Sequence, residues 1–107
     1  MNVSLESFPN APQDWDIKTA EDTAKIDGLN LSNDHWDLIR ALQEYYCKVD
    51  FPKLRQIKDA LEEKFHSRGG MKYLYQIIPG GPVAEGCRLA GLNVPAGAVD
   101  KSFGSTA

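Results

Sequence analysis

Apolar residues in this chain recur at three- and four-residue spacing, the period of helices buried on one side, with little of the strict alternation that marks strands. The clearest stripe is Trp36, Ile39, Leu42, Tyr46 and Val49. Ser32 precedes it as an N-cap, and Asp34 falls in the first turn, where the helix dipole favours an acid. Leu54, Ile57, Leu61 and Phe65 carry the same period to His66 in a further helix, with Pro52 suited to its first turn. Ser67-Arg68-Gly69-Gly70 breaks the pattern. A weaker helix is predicted from Asp14, as N-cap, to Ile26, with Ile17, Ala20, Ala24 and Ile26 on its apolar face and Gly28 ending it. A short helix follows the break, from Met71 to Ile78, stopped by Pro79-Gly80-Gly81. Pro82 opens the last, with Val83, Gly86, Cys87 and Ala90 on one face and Gly91 closing it.

Before Gln13 the chain is an irregular lead-in with one extended piece at Val3–Leu5, and residues 93–107 have too little apolar mass to pack, so they read as a mobile tail. The result is one mainly α domain over residues 1–92, a small orthogonal helical bundle with a terminal arm. Helices three and four, joined by a glycine turn, make a helix-turn-helix-like core.

Composition narrows the class. The chain has 107 residues, enough for one core only, with 42% hydrophobic and 25% charged residues. No apolar run is long enough to cross a membrane. Met1-Asn2-Val3-Ser4-Leu5-Glu6 has neither a basic nor an apolar stretch of the secretory kind, so a cytoplasmic protein is expected. The net charge of −3 is uneven: residues 1–50 hold ten acids and four bases, residues 51–107 eight bases and five acids. The net of +3 on the second half suits an acidic partner or a phosphate backbone, but no run of Lys and Arg exists, and a solvated helical face explains it as well.

Several chemistries drop out. His35 and His66 are far apart, and Cys47 and Cys87 form no Cys-x-x-Cys pair, so no metal site is expected. Glu21-Asp22 and Glu62-Glu63 fall at helical positions facing solvent, and no Gly-x-Ser-x-Gly elbow exists. Pro79-Gly80-Gly81-Pro82 offers free N–H groups to an anion but lacks a P-loop lysine, and reads as an interhelical turn. Tyr73 and Tyr75 beside Lys72 have the makings of a base-stacking surface, with core packing the simpler role. Cys47 reads as a packing or incidental residue. Cys87, five residues beyond Pro82, is too deep in its helix for the dipole to activate it, and Arg88 helps a thiolate only if its head folds back. On local chemistry alone, a buried helix cysteine and a reactive one both stay open.

The stretch from Asp34 to Val99 carries a more specific signal. It reads His35-Trp36-Asp37-Leu38-Ile39-Arg40, Tyr45-Tyr46, then Pro52-x-x-Arg55. It continues Lys72-Tyr73-Leu74-Tyr75-Gln76-Ile77-Ile78-Pro79-Gly80-Gly81-Pro82, and ends Gly86-Cys87-Arg88-Leu89-Ala90-Gly91-Leu92 and Pro95-Ala96-Gly97. This resembles the DsrC/TusE/DsvC family of sulfur-relay proteins, which includes the dissimilatory sulfite reductase gamma subunit. The segment from Gln13-Asp14-Trp15 to Leu31 is similar too, more loosely.

The resemblance implies a helical domain with an N-terminal β-hairpin, abbreviated here, and a flexible C-terminal arm. It implies a persulfide carrier or a sulfite-reductase-associated partner, in sulfur metabolism or tRNA thiolation, with no cofactor. Its partners are sulfur-metabolism enzymes or other relay proteins. In the family a cysteine near the chain end accepts sulfur, and in two-cysteine members a second one, eleven residues earlier, can bond with it. The earlier cysteine matches Cys87; the terminal one falls at Ala98, and the chain runs on from Asp100 to Ala107. Eleven extended residues reach roughly 36–40 Å, enough to enter a partner's site. Cys87 is then the candidate sulfur-bearing thiol, with Arg55, Lys72 and Arg88 as candidate anion-stabilising neighbours. The alternatives are a non-catalytic regulatory or interaction module of the same family and, with less support, a helix-turn-helix nucleic-acid binder.

Overall fold

The computed structural model describes residues 7–98. Within them the chain forms α1 (Ile17–Asp27), α2 (Asn33–Lys48), α3 (Leu54–Lys64), a 3-10 turn (His66–Arg68), α4 (Gly70–Ile77) and α5 (Pro82–Ala90). No strand occurs among the described residues, so the implied N-terminal hairpin is absent there, and Val3–Leu5 lie outside them. None of the described helices is long and apolar enough to cross a membrane.

The central helix is α2. It packs most extensively on α5 and also on α3, while α1 lies across α5 and α4 lies against α3. Its stripe supplies Trp36, Ile39 and Leu42 to the core, joined by Leu38. Ile57, Leu61 and Phe65 come from α3 and its end, Leu74 and Ile78 from α4, and Val83, Leu89 and Ala90 from α5. Two small residues set how closely elements approach. A Cβ on Gly86 of α5 would stand 2.6 Å from Leu42 Cδ1, so the missing side chain is what lets α5 settle on α2. Gly91 has φ 75°, and a Cβ there would stand 2.8 Å from the Trp15 ring. Trp15 is in turn fixed by its indole N–H, which donates to the Leu89 carbonyl at 2.6 Å.

Several local expectations need correction. The N-cap of α1 is Asp16, whose carboxylate accepts from Thr19 N–H at 2.8 Å, not Asp14. Two acids two residues apart are equivalent candidates in sequence, and the one three residues before Thr19 wins. Ile26 points outward at 81% exposure instead of joining the apolar face; the buried positions of α1 are Ala20 and Ala24. Pro52 lies before the N-cap Lys53, so it is outside the first turn of α3. Glu62 does not simply face solvent: its Oε1 accepts from Met71 N–H at 2.9 Å, satisfying a free donor at the start of α4. Of the two roles open to Cys47, its exposure leaves the incidental one.

The irregular lead-in contributes to the core through Phe8. Its ring lies 5.1 Å from Trp15 and 5.8 Å from Trp36, centroid to centroid, with the Arg40 guanidinium 5.0 Å above it. His35 is buried and bridges two elements. Its Nδ1 accepts from Ser32 N–H at 3.1 Å, so the proton sits on Nε2, which donates to the Ile77 carbonyl at 3.0 Å and ties the start of α2 to the end of α4.

Candidate functional site

The local geometry around position 87 begins with the turn before α5. Gly81 N–H donates to the Ile78 carbonyl at 3.1 Å, making Pro79–Gly81 the plain turn that its composition indicates, and Pro82 takes the first position of the helix. With Gly86 seated on Leu42, the next residue, Cys87, is driven against α2 with 0% exposure. Its Sγ stands 3.5 Å from the Tyr46 hydroxyl. At the far end, Gly91 adopts the left-handed conformation and Leu92 N–H donates back to the Cys87 carbonyl at 2.8 Å. This closure turns the chain toward α2. There the Asn93 carbonyl accepts from the Tyr46 hydroxyl at 2.7 Å.

Tyr46 is therefore a latch between the buried thiol and the segment after α5. It carries one proton, and the closer acceptor is Asn93. Burial raises its pKa above the ordinary tyrosine value, with the Cys87 contact adding to this, so it stays a phenol. Burial also pushes the Cys87 thiol up; the Tyr46 hydroxyl, as a donor to the thiolate, works the other way. With that proton committed to Asn93, the sulfur keeps its own proton. An ordinary thiol of pKa near ~8.5 is only a few per cent thiolate at neutral pH, and this one is held below that fraction.

The other candidate residues lie apart from the sulfur. Arg88 folds away from it, 3.3 Å from both Asp27 and Glu85. Glu85 is pushed up to about 7, first by burial and then by its hydrogen bond with Asp27. Lys72 is exposed on α4. Arg55 is exposed near the start of α3, on the rim of a groove that has Tyr46 in its wall. Ala98 lies beyond a turn in which its N–H donates to the Pro95 carbonyl at 3.2 Å, beside Leu54 and the Pro79–Gly81 turn. Residues 93–98 thus run from Tyr46 across the start of α3 to the start of α5, with Val94 and Ala98 packed on the core.

The relatives of this chain bear on what such a body does. Residues 1–99 match the family described as DsrC like protein. The chain belongs to the DsrC-like family. It is 34% identical over 92 residues to the sulfurtransferase TusE of Buchnera aphidicola subsp. Acyrthosiphon pisum, covering 84% of this chain and 81% of the relative. It is 28% identical over 97 residues to TusE of Escherichia coli K12, covering 89% of each. The NMR structure of DsrC from Allochromatium vinosum superposes with a TM-score of 0.66 at 40% identity, covering 80% of this chain and 79% of that one. This DsrC-like chain is accordingly a helical sulfur-relay family protein.

The sequence pattern named Cys87 and Ala98 but gave Tyr46 no role beyond packing. A signal existed: a tyrosine inside an apolar stripe needs a partner for its hydroxyl. Which partner depends on where the chain returns after Gly91, and no spacing rule states that.

Proposed function

We propose that this DsrC-like protein serves sulfur relay as a docking member. It binds a sulfur-metabolism enzyme or another relay protein through its helical body, and the segment after α5 delivers no sulfur. One observation carries the reading: the terminal-cysteine position is Ala98, and the remaining matched cysteine, Cys87, has no exposed surface. A methyl group accepts no sulfur, and a neutral, enclosed thiol attacks none.

A second reading keeps transfer on Cys87, and the Tyr46 contact favours it. Lifting residues 93–98 removes the Asn93 acceptor, freeing the hydroxyl proton for the sulfur. The Cys87 thiol then gives its proton to solvent, and the resulting thiolate attacks the sulfane sulfur of a donor persulfide. The donor S–S bond breaks, the donor leaves as a thiolate, and the new S–S bond makes Cys87 a persulfide. Duplex binding draws less support. Arg68, at the turn between α3 and α4, is already held by Asp34 at 2.9 Å and Asp37 at 3.0 Å.

The docking reading is tested by calorimetric titration against sulfur-relay proteins of the same cell, with Ala98→Cys as the comparison. Saturable binding of the wild-type chain to one of them, with affinity changed by less than about threefold in Ala98→Cys, is expected; a threefold change is below ~1 kcal/mol. Binding that appears only when the cysteine is restored contradicts it.

A further inference from the structure

We propose that the groove under the α2–α3 connection is a docking surface for an acidic segment of a partner protein, with Phe51 as the anchor that enters the partner. The groove has a volume of about 750 Å³, and its apolar wall is formed by Val49, Pro52, Leu54, Val94 and Pro95, with Tyr46 at one end. Phe51 stands on its rim with 95% of its surface exposed. It is also the one non-glycine residue with positive φ among the described residues, at 49°. A side chain larger than glycine holds that conformation at a cost of order 1–3 kcal/mol, and here no intramolecular packing offsets it. Large aromatic residues with little conformational freedom are the usual anchors of protein interfaces.

Charge selects the occupant. Lys53 and Arg55 line the same groove beside a single acid, Asp50, which leaves its lining net positive, and neither cation forms an ion pair among the described residues. Both cations stand at the start of α3, whose first turn holds no acid. The helix dipole disfavours cations there. Three adjacent departures from local preference, around one groove, suit an external ligand that is negatively charged and has an apolar cavity for the ring.

This surface rests on the docking role proposed above, and site-specific photo-crosslinking in the native cell tests it. The full chain carries p-benzoylphenylalanine at Phe51, with the same substitution at exposed Ile26 as control. A light-dependent adduct at position 51 is expected, mapping to an acidic segment of a different protein. Lys53→Glu with Arg55→Glu is expected to lower its yield at least ~10-fold, equivalent to about 1.4 kcal/mol of binding. Acids at a helix start are favourable, so the melting temperature of that double variant should hold. The surface is overturned by no adduct at 51, an equal yield at 26, or a mapped segment that is basic. It is equally overturned by an adduct to a second copy or to residues 99–107, or by a yield indifferent to the double variant. An acidic segment from a protein outside sulfur relay keeps this surface and removes the function proposed above. Binding to a relay protein without an adduct at 51 removes the surface alone.

Discussion

Cys47 and Cys87 differ in everything a thiol reagent senses. Cys47 is exposed on α2, and Cys87 is enclosed, protonated and covered by Tyr46. Alkylation followed by peptide mass analysis should label Cys47 at the rate of a free thiol and leave Cys87 unlabelled until the protein opens. Tyr46→Phe should speed Cys87 labelling, because the Asn93 latch is lost, and lower stability in urea by about 1 kcal/mol, the net worth of one hydrogen bond. Glu85 gives a second prediction, with a defined sign. Its pKa in the folded protein is raised to about 7 from an ordinary 4.5, with Asp27 of α1 and Arg88 of α5 facing it. Between those values the folded state binds more protons than the unfolded state, so stability falls as pH rises through the window. Urea midpoints should drop from pH 4.5 to 7, and Glu85→Gln should flatten that slope. Asp37 acts oppositely at lower pH. Burial raises its pKa, but hydrogen bonds from Arg40 and Arg68 outweigh this and hold it below the usual range, so its contribution is lost on acidification. Neither Tyr46 nor Glu85 was legible from sequence in these roles. Both depend on contacts across long separations, 47 residues in the Tyr46–Asn93 bond.

At the level of elements, α2, α3 and α5 were legible because each combines a helical period with a stop signal in Pro or Gly. α1 was legible in existence and, except at Ile26, in facing. Of the four stripe residues, Ile17, Ala20 and Ala24 pack on the core and Ile26 alone points outward. Phe8 was missed because a single aromatic in an irregular stretch has no period to announce it. The α2–α5 contact gives the sharpest mutational test. Gly86→Ala gains roughly 1 kcal/mol of helix propensity. It also places a methyl 2.6 Å from Leu42 Cδ1 and 3.3 Å from Leu38 Cδ2, both wholly buried. Overpacking of this kind costs about 1–3 kcal/mol. The expected result is net destabilisation in chemical denaturation; a more stable variant contradicts the packing described.

For the whole molecule, the fold and the family were legible together, because the motifs that carry the family are the ones that build its helices and turns. Tyr73-x-Tyr75 and Pro79-Gly80-Gly81-Pro82 surround the α4–α5 turn, and Gly86-Cys87 and Gly91 set the α2–α5 contact and its exit. What spacing could not convey is the path of residues 93–98, which lie along the body and bring Asn93 onto Tyr46. The docking role proposed above rests on that path and on alanine standing at position 98. The most direct measurement is intact-protein and peptide mass analysis of the Cys47→Ser chain after incubation with a persulfide donor. No added sulfur is expected on native Cys87, and one added sulfur atom is expected at position 98 once Ala98→Cys is introduced into the same background. Stoichiometric sulfur on Cys87 in the folded Cys47→Ser chain, with Ala98 in place, contradicts it.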